Sequence, residues 1–407
     1  MTAMNHNDKQ DELAHKRAAF QLPKGKVYLD GNSLGPLPVA ARERAREVVE
    51  GQWGDDLISS WNTHDWIHLP ATVGDKIGAL TGAAPGQVVC CDSISVNLFK
   101  VLSAALKMRP GRHVIATTRD NFPTDIYMVE GLIEQLSDAY ELRFIDEQDI
   151  AGGLSEDIAV VMLTQVNFRT GFKHNMQQVT QQVHDCGGLM LWDLAHSAGA
   201  FTVELDACKA DFAVGCTYKY LNGGPGAPAF IYVARAHQQY YRQPLSGWMG
   251  HASPFAFLPG YEPDEGIRQN LSGTPGIIGM SVLDAALSVF DDVSMKQIET
   301  KSRALMRYFL QCLETAGLSD VLTLVSPHED CRGSQLAFRH PHSYAICQAW
   351  IDEGIIADFR APDILRVGFA PLYLRFTDLD DAVRSLAAIV NEKRYERPEF
   401  NQKNMVT

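Results

Sequence analysis

From residue 76 onward the chain keeps a regular rhythm of apolar and polar positions. A helical stretch runs to Thr81. Short apolar runs of strand character follow at 87–91, 112–117, 142–145, 158–163, 188–192, 211–216 and 227–233, separated mostly by helix-length amphipathic segments. Strands alternating with helices predict an α/β fold, a mainly parallel sheet wrapped by helices. Ahead of this region the pattern is looser. Residues 1–26 are polar and predict a helical or loose arm, 39–52 have helical character, and 60–69 (SWNTHDWIHL) is an aromatic and histidine cluster without a clear period. Near residue 240 the rhythm breaks into the loop-rich HASPFAFLPGYEPDEG and then NLSGTPG. Helices over about 277–290 and 303–316 lead to a smaller α+β unit, where GSQLAFRH and DILRVGFAP read as strands and SYAICQAWIDEG and DLDDAVRSLAAIVNEK as helices. The expected division is an N-terminal arm and joining segment over 1–50, a large domain over 51–280 and a small C-terminal domain over 281–407. No internal repeat or low-complexity tract interrupts it.

Composition narrows the function classes. The chain has 407 residues, 46% of them hydrophobic and 21% charged, enough for two domains. A formal charge of -13 with no run of lysine or arginine argues against a nucleic-acid surface, so the expected ligand is small. No apolar stretch approaches the roughly 18 residues of a membrane span, and the first residues lack the apolar core of a secretory signal. The expectation is a cytoplasmic protein that contacts neither membrane nor nucleic acid. Of eight cysteines only Cys90 and Cys91 are adjacent and no CxxC pair occurs, so neither a disulfide framework nor a zinc site is signalled.

The chemistry gathers around ADFAVGCTYKYLNGGPGAPAF, residues 210–230. Lys219 lies between two tyrosines at the end of an apolar run, and a Gly/Pro-rich loop leads into the next run. Strand ends facing a cleft are where open α/β sheets bind ligands. A lysine at this place is either a solvated loop residue or, held among aromatics, one of reduced proton affinity that serves as an amine nucleophile or Schiff-base former. Upstream, VYLDGNSLGPLP (27–38) reads as a tight irregular loop in which Asn32 and Ser33 serve either the turn or a ligand. Asp92, Ser93 and Ser95 precede the amphipathic helix VNLFKVLSAALKM, and such a helix start either is simply capped or accepts a phosphate. In NFPTD, Pro123 suits the first position of a helix and Phe122 offers a face to a flat ring. LMLWDLAHSAG ends an apolar strand with Asp193 and His196; a carboxylate there is costly unless partnered, and a cationic ring nitrogen would be such a partner. A phosphate-accepting helix start, an aromatic face, a carboxylate and a lysine, in that order at strand ends, suit pyridoxal phosphate.

Other cofactor and catalytic fingerprints are missing: GxxxxGK[ST], an opening GxGxxG and HExxH do not occur. The motifs LDGNSLG, DSISVNLFK, FPTD, WDLAHSAG, CTYKYLNGGPG, SGWMGH and LRVGFAPLY together resemble the kynureninases, fold-type I pyridoxal-phosphate enzymes of the aminotransferase class V superfamily, from about residue 27 to 390. The resemblance implies that Lys219 carries the cofactor, Asp193 pairs with its ring nitrogen and His196 supports that contact. Phe122 would stack on the ring, with Pro123, Thr124 and Asp125 beside it. Ile94, Ser95 and Tyr218 would form the phosphate environment, which Trp248 and Thr274 would reach from the other subunit of a homodimer. Arg366 would clamp the substrate α-carboxylate in a bidentate way, assisted by Asn32 or Ser33, with Trp61 towards the aryl end.

The implied activity is hydrolysis of L-kynurenine to anthranilate and L-alanine, in tryptophan degradation. Freed Lys219 would be the base for the Cα proton. Tyr218 would either protonate the β carbon, provided its environment lowers its pKa, or only hold phosphate. Thr274 and Trp61 stand where some family members have asparagine and histidine, so a preference for kynurenine over 3-hydroxykynurenine is expected. Two rivals use the same fold. A cysteine desulfurase needs a nucleophilic thiol, for which Cys331 in HEDCRGSQ is the candidate, but its lysine normally follows a histidine rather than a tyrosine. A non-enzymatic effector-binding domain would not need every catalytic position filled.

Overall fold

A computed structural model describes residues 6–137 and 139–402 of the chain. The seven apolar runs all form strands: β2 (Val88–Cys90), β3 (Val114–Thr118), β4 (Glu141–Ile145), β5 (Ile158–Thr164), β6 (Leu189–Asp193), β7 (Phe212–Gly215) and β8 (Phe230–Val233), with β1 (Val27–Tyr28) ahead of them. They make one seven-stranded sheet in the order β2-β8-β7-β6-β5-β3-β4. The inner and β4-side pairings are parallel, while β8 runs antiparallel to both β2 and β7. The exception has a local cause. Parallel strands are usually joined by a helical crossover, whereas the link after β7 (216–229) is a Gly/Pro loop without a helix.

Neighbouring residues along β6 enter opposite cores, as the two-residue period of a strand requires. Met190 and Trp192 of β6 join the core on one face, Leu189 and Leu191 that on the other. The second core is closed by the helix Ile94–Met108, which buries Leu98, Val101, Leu102 and Ala105, spaced as one face of a helix. Complete burial of Leu98 or Leu102 contributes about 1.5–3 kcal/mol each.

Beyond the sheet, helices Ile277–Ala286 and Met295–Thr315 lead to a four-stranded antiparallel sheet. Its strands are β9 (Thr323–Leu324), β10 (Gln335–Arg339), β12 (Asp358–Arg360) and β13 (Ile364–Gly368), in the order β12-β13-β10-β9. The long helix begins eight residues earlier than its apolar period suggests, because Ser294 and Gln297 form a reciprocal capping box. The segment 27–38 is not wholly a loop. Val27 and Tyr28 form β1 and pair in parallel with β11 (Ile355–Ile356), far away in sequence. A two-residue strand carries no readable period, so only the pairing reveals it. From there the backbone runs to the large sheet: Leu29 accepts a bond from Gly368 N at 2.7 Å and Gly35 N donates to Tyr218 O at 2.8 Å.

Candidate active site

The carboxyl ends of β2, β3, β5, β6 and β7 share one edge of the large sheet, the position at which open α/β sheets place ligands. A cavity of about 260 Å³ opens there. Ile94, Ser95, Phe122, Thr124, Asp125, Asp193, His196, Tyr218 and Lys219 all line it. Pro123 occupies the first turn of the helix Pro123–Leu136, behind that wall.

Lys219 is buried, and its Nζ lies 2.9 Å from His196 Nε2 and 5.9 Å from the centres of the Phe122 and Tyr218 rings. Burial lowers its pKa, as do Arg366 and Arg360; Cys216 and Asp193 oppose the shift. His196 is pushed well below the usual histidine range by burial and by Lys219, so its imidazole is neutral. Its Nε2 meets the lysine, and its Nδ1 is buried without a hydrogen-bond partner.

Asp193 ends β6, and its Oδ1 accepts the Ala195 amide at 2.8 Å. Burial raises its pKa, against the pull of Lys219. Asp125 rises further, through burial and the adjacent Asp193. Two buried carboxylates in contact do not both ionise readily, and both are pushed up here. Asp125 is also held by Asn121 Nδ2, at 3.1 Å from its Oδ2, and Asn121 Oδ1 accepts both the amide and the hydroxyl of Thr164 at 2.7 Å. Its other oxygen, Oδ1, has no partner. At the opposite end of the cavity Ser93 Oγ caps the helix Ile94–Met108 by accepting Val96 N at 3.4 Å. Asp92 beside it has a left-handed φ of 48° and pairs at 2.6 Å with Lys100, a fully buried residue of that helix.

Tyr218 does not meet the condition for easy proton release. Burial, Cys216 and Asp193 all raise its pKa, so the phenol stays protonated. Phe122 is braced edge-on by Phe168, ring centres 5.3 Å apart.

Asn32, Ser33 and Arg366 gather in a second buried cluster between the large sheet and β13. Arg366 is 1% exposed, and the fork expected to grip a substrate is engaged within the chain: Nε lies 2.9 Å from Asp358 Oδ1 and Nη2 2.5 Å from Asp358 Oδ2. Ser33 Oγ accepts Nη2 at 2.9 Å, and the Phe168 carbonyl accepts Nη1. Asn32 Nδ2 reaches Gln335 Oε1 at 3.5 Å. Trp61, Trp248 and Thr274 are not on the cavity wall. Trp61 packs edge-on against Trp66 at 5.8 Å. Trp248 is 37% exposed beside Phe255 and Phe257, and Thr274 is exposed. Cys331 is exposed at a separate groove with Lys173 and His174, outside the cavity that holds Lys219.

Sequence reasoning passes over Asn121, Thr164, Lys100, Asp358 and Arg360. Three of these carry a signal. Lys100 falls on the apolar face of VNLFKVLSAAL, where a charge requires a partner, and Asp358 and Arg360 alternate on one face of a short strand beside Arg366.

A model of the kynureninase C-terminal domain matches residues 298–386. Kynureninases of Burkholderia pseudomallei (strain 1106a) and Pseudomonas fluorescens are 50% and 47% identical to the chain, each over 406 residues and 98% of both chains. Among solved structures, the apo cysteine desulfurase of Thermococcus onnurineus NA1 superposes with a TM-score of 0.78 at 19% identity, covering 96% of this chain and 100% of that one. A C-DES mutant with glycine covalently linked to its PLP cofactor gives 0.78 at 16%, covering 91% and 98%. Likeness at such identities speaks for the fold alone, that of fold-type I pyridoxal-phosphate enzymes. Half-identity over almost the whole length says more: the chain belongs to the kynureninase family.

Proposed function

We propose that this protein is a pyridoxal-phosphate enzyme that hydrolyses the Cβ–Cγ bond of L-kynurenine, releasing anthranilate and L-alanine, with weaker action on 3-hydroxykynurenine. The observation that carries the reading is Lys219, a buried amine of lowered proton affinity, 2.9 Å from a neutral histidine in a cavity that also holds the carboxyl group of Asp193. The donor set suits the cofactor. Ser93, Ser95 and the start of a fifteen-residue helix are a fitting anion cradle, Phe122 a stacking face and Asp193 the partner of a protonated ring nitrogen. The unpartnered Nδ1 of His196 and Oδ1 of Asp125 are polar atoms that a polar ligand would satisfy. Bound pyridoxal phosphate supplies an electron sink that weakens the bonds at the substrate Cα and then between its β and γ carbons.

The chain's own residues do the rest. Asp193, on the cavity wall, would hold a ring proton in place. Lys219, with its amine free, would be a neutral base for the Cα proton because burial and two arginines lower its pKa. Tyr218 serves as a neutral phenol that donates a hydrogen bond. Arg366 orients the α-carboxylate, with Asn32 and Ser33 beside it. We assign the protein to the cytoplasm, supported by eight unpaired cysteines among the described residues and by no helix among them long and apolar enough to cross a membrane. We infer a homodimer in which the partner covers the exposed Trp248, Phe255 and Phe257 and brings its own Trp248 and Thr274 to this cavity. Trp61 and Thr274 support a preference for kynurenine over its 3-hydroxy derivative.

The test is purified full-length protein with pyridoxal phosphate and L-kynurenine, followed by anthranilate fluorescence and visible absorbance. Lys219→Ala is expected to abolish both turnover and the absorbance of covalently held cofactor. Wild-type protein that binds the cofactor but releases no anthranilate would overturn the substrate.

A further inference from the structure

Asp358, 1% exposed, is met by two guanidinium groups rather than one. Besides the Arg366 fork, Arg360 Nη2 lies 2.7 Å from Asp358 Oδ2. Ser33 Oγ links the same groups, donating to Asp358 Oδ2 at 2.9 Å and accepting Arg360 Nη2 at 3.2 Å and Arg366 Nη2 at 2.9 Å. Strand register builds this cluster: Asp358 stands opposite Arg366 across β12 and β13, and Arg360, two residues along β12, projects to the same face.

The cluster carries surplus positive charge. Asp358 is ionised, its pKa lowered by Arg366 and Arg360 against the effect of burial. The other nearby carboxylate, Asp30, is pushed up to about 7 by burial and by Asp358, and so holds only part of a charge near neutral pH. Two cations therefore face one full and one partial anion. Donors are left over as well. Arg360 Nε is buried with no partner, and Arg366 Nη1, which bears two hydrogens, is used by the Phe168 carbonyl alone. Buried guanidinium hydrogens without acceptors are costly, and an anionic acceptor relieves both the charge and the vacant donors. Both arginines act on the lysine site, lowering the pKa of Lys219 and of His196.

We propose that Arg360 is a second carboxylate-binding residue, sharing the substrate α-carboxylate with Arg366 while Asp358 remains in place as the brace between the two guanidiniums. The inference rests on an α-amino acid substrate, as proposed above, and gives Arg360 a role in specificity: amines without the carboxylate gain nothing from it.

The experiment compares wild-type holoenzyme with Arg360→Gln and Arg360→Lys. L-kynurenine is set against kynurenamine, the same molecule without its α-carboxylate, the latter measured by its shift of the cofactor absorbance. A charge-assisted contact predicts a KM for L-kynurenine raised about 10- to 100-fold in Arg360→Gln, with partial recovery in Arg360→Lys. Kynurenamine affinity should stay within about twofold of wild type, since a bidentate contact to a missing group contributes nothing. An unchanged KM in Arg360→Gln overturns the proposal. So does equal weakening of both ligands, the mark of a purely structural role. L-alanine against ethylamine, titrated in the same way, reads the carboxylate contact without any aryl ketone. A wild type that releases no anthranilate thus defeats the proposed substrate, and the alanine titration still decides the role of Arg360.

Discussion

Replacing Lys100 by methionine tests how far the cofactor end of the cavity depends on one buried charge. Lys100 is 0% exposed, and its Nζ donates at 2.6 Å to Asp92 Oδ2 and at 2.6 Å to the Asn270 carbonyl. Removing one partner of a buried ion pair costs about 3–5 kcal/mol, and a carbonyl deprived of its donor about 1 kcal/mol. Two features reduce this sum. The Asp92 side chain is 32% exposed and partly rehydrates, and the methionine chain retains most of the packing of the lysine stem. The expected loss is about 3 kcal/mol. Asp92→Asn is a compatible second change, because asparagine tolerates the left-handed backbone found at this position and leaves no stranded charge. Urea unfolding of the full chain, followed by tryptophan fluorescence at fixed protein concentration, should show Asp92→Asn/Lys100→Met recovering at least half of the loss. Titration with pyridoxal phosphate gives an independent readout. Asp92 lines the cavity beside Ser93 and Ser95, so an uncompensated carboxylate there weakens cofactor binding in Lys100→Met more than in the double variant. A Lys100→Met protein within about 0.5 kcal/mol of wild type would refute the reasoning, since surface-like substitutions fall in that range.

Gly35→Ala probes the approach of the 29–35 backbone to the lysine turn. A Cβ there would lie 2.3 Å from the Lys219 carbonyl oxygen and 2.8 Å from Asn222 Cα, and overpacking of this kind costs about 1–3 kcal/mol. A lower thermal midpoint together with lower kcat is expected; a change in neither would mean that this contact is slack. On the far side of the sheet, His184 Nε2 lies 2.8 Å from Asp211 Oδ2, and this hydrogen bond raises the histidine pKa despite partial burial. A folded pKa above the unfolded value near 6.5 means that the contribution is complete below about pH 6.5 and disappears as pH rises through the folded pKa. The difference in urea midpoint between wild type and His184→Asn should therefore be largest near pH 6 and shrink towards pH 8. A gap that widened with pH would show the sign to be wrong.

Much of the large sheet is legible without coordinates because its signals are local. Each of the seven strands is a short apolar run between turn residues, and Lys219, Asp193, Phe122 and Ser95 follow such runs at the ends where a parallel sheet leaves a cleft. Their convergence on one cavity follows from alternation and chain direction alone. The expected roles of His196 and Arg366 depend on what lies across from them, and here the structure adds what no motif contains: the histidine touches the lysine, and the arginine fork is taken by Asp358.

The amino-acid pattern by itself determined the strand runs, the helix that buries Leu98 and Leu102, and the order in which the chemistry-bearing residues meet the sheet edge, since each depends on residues only a few positions apart. Tertiary structure decided the antiparallel return of β8, the pairing of Val27 with Ile355 and the meeting of Ser33, Arg360 and Arg366 around one carboxylate. Those contacts join residues as much as 333 positions apart. Protonation belongs with them, because which of Asp125 and Asp193 keeps the proton is set by burial and by mutual repulsion, and neither exists until the chain has folded.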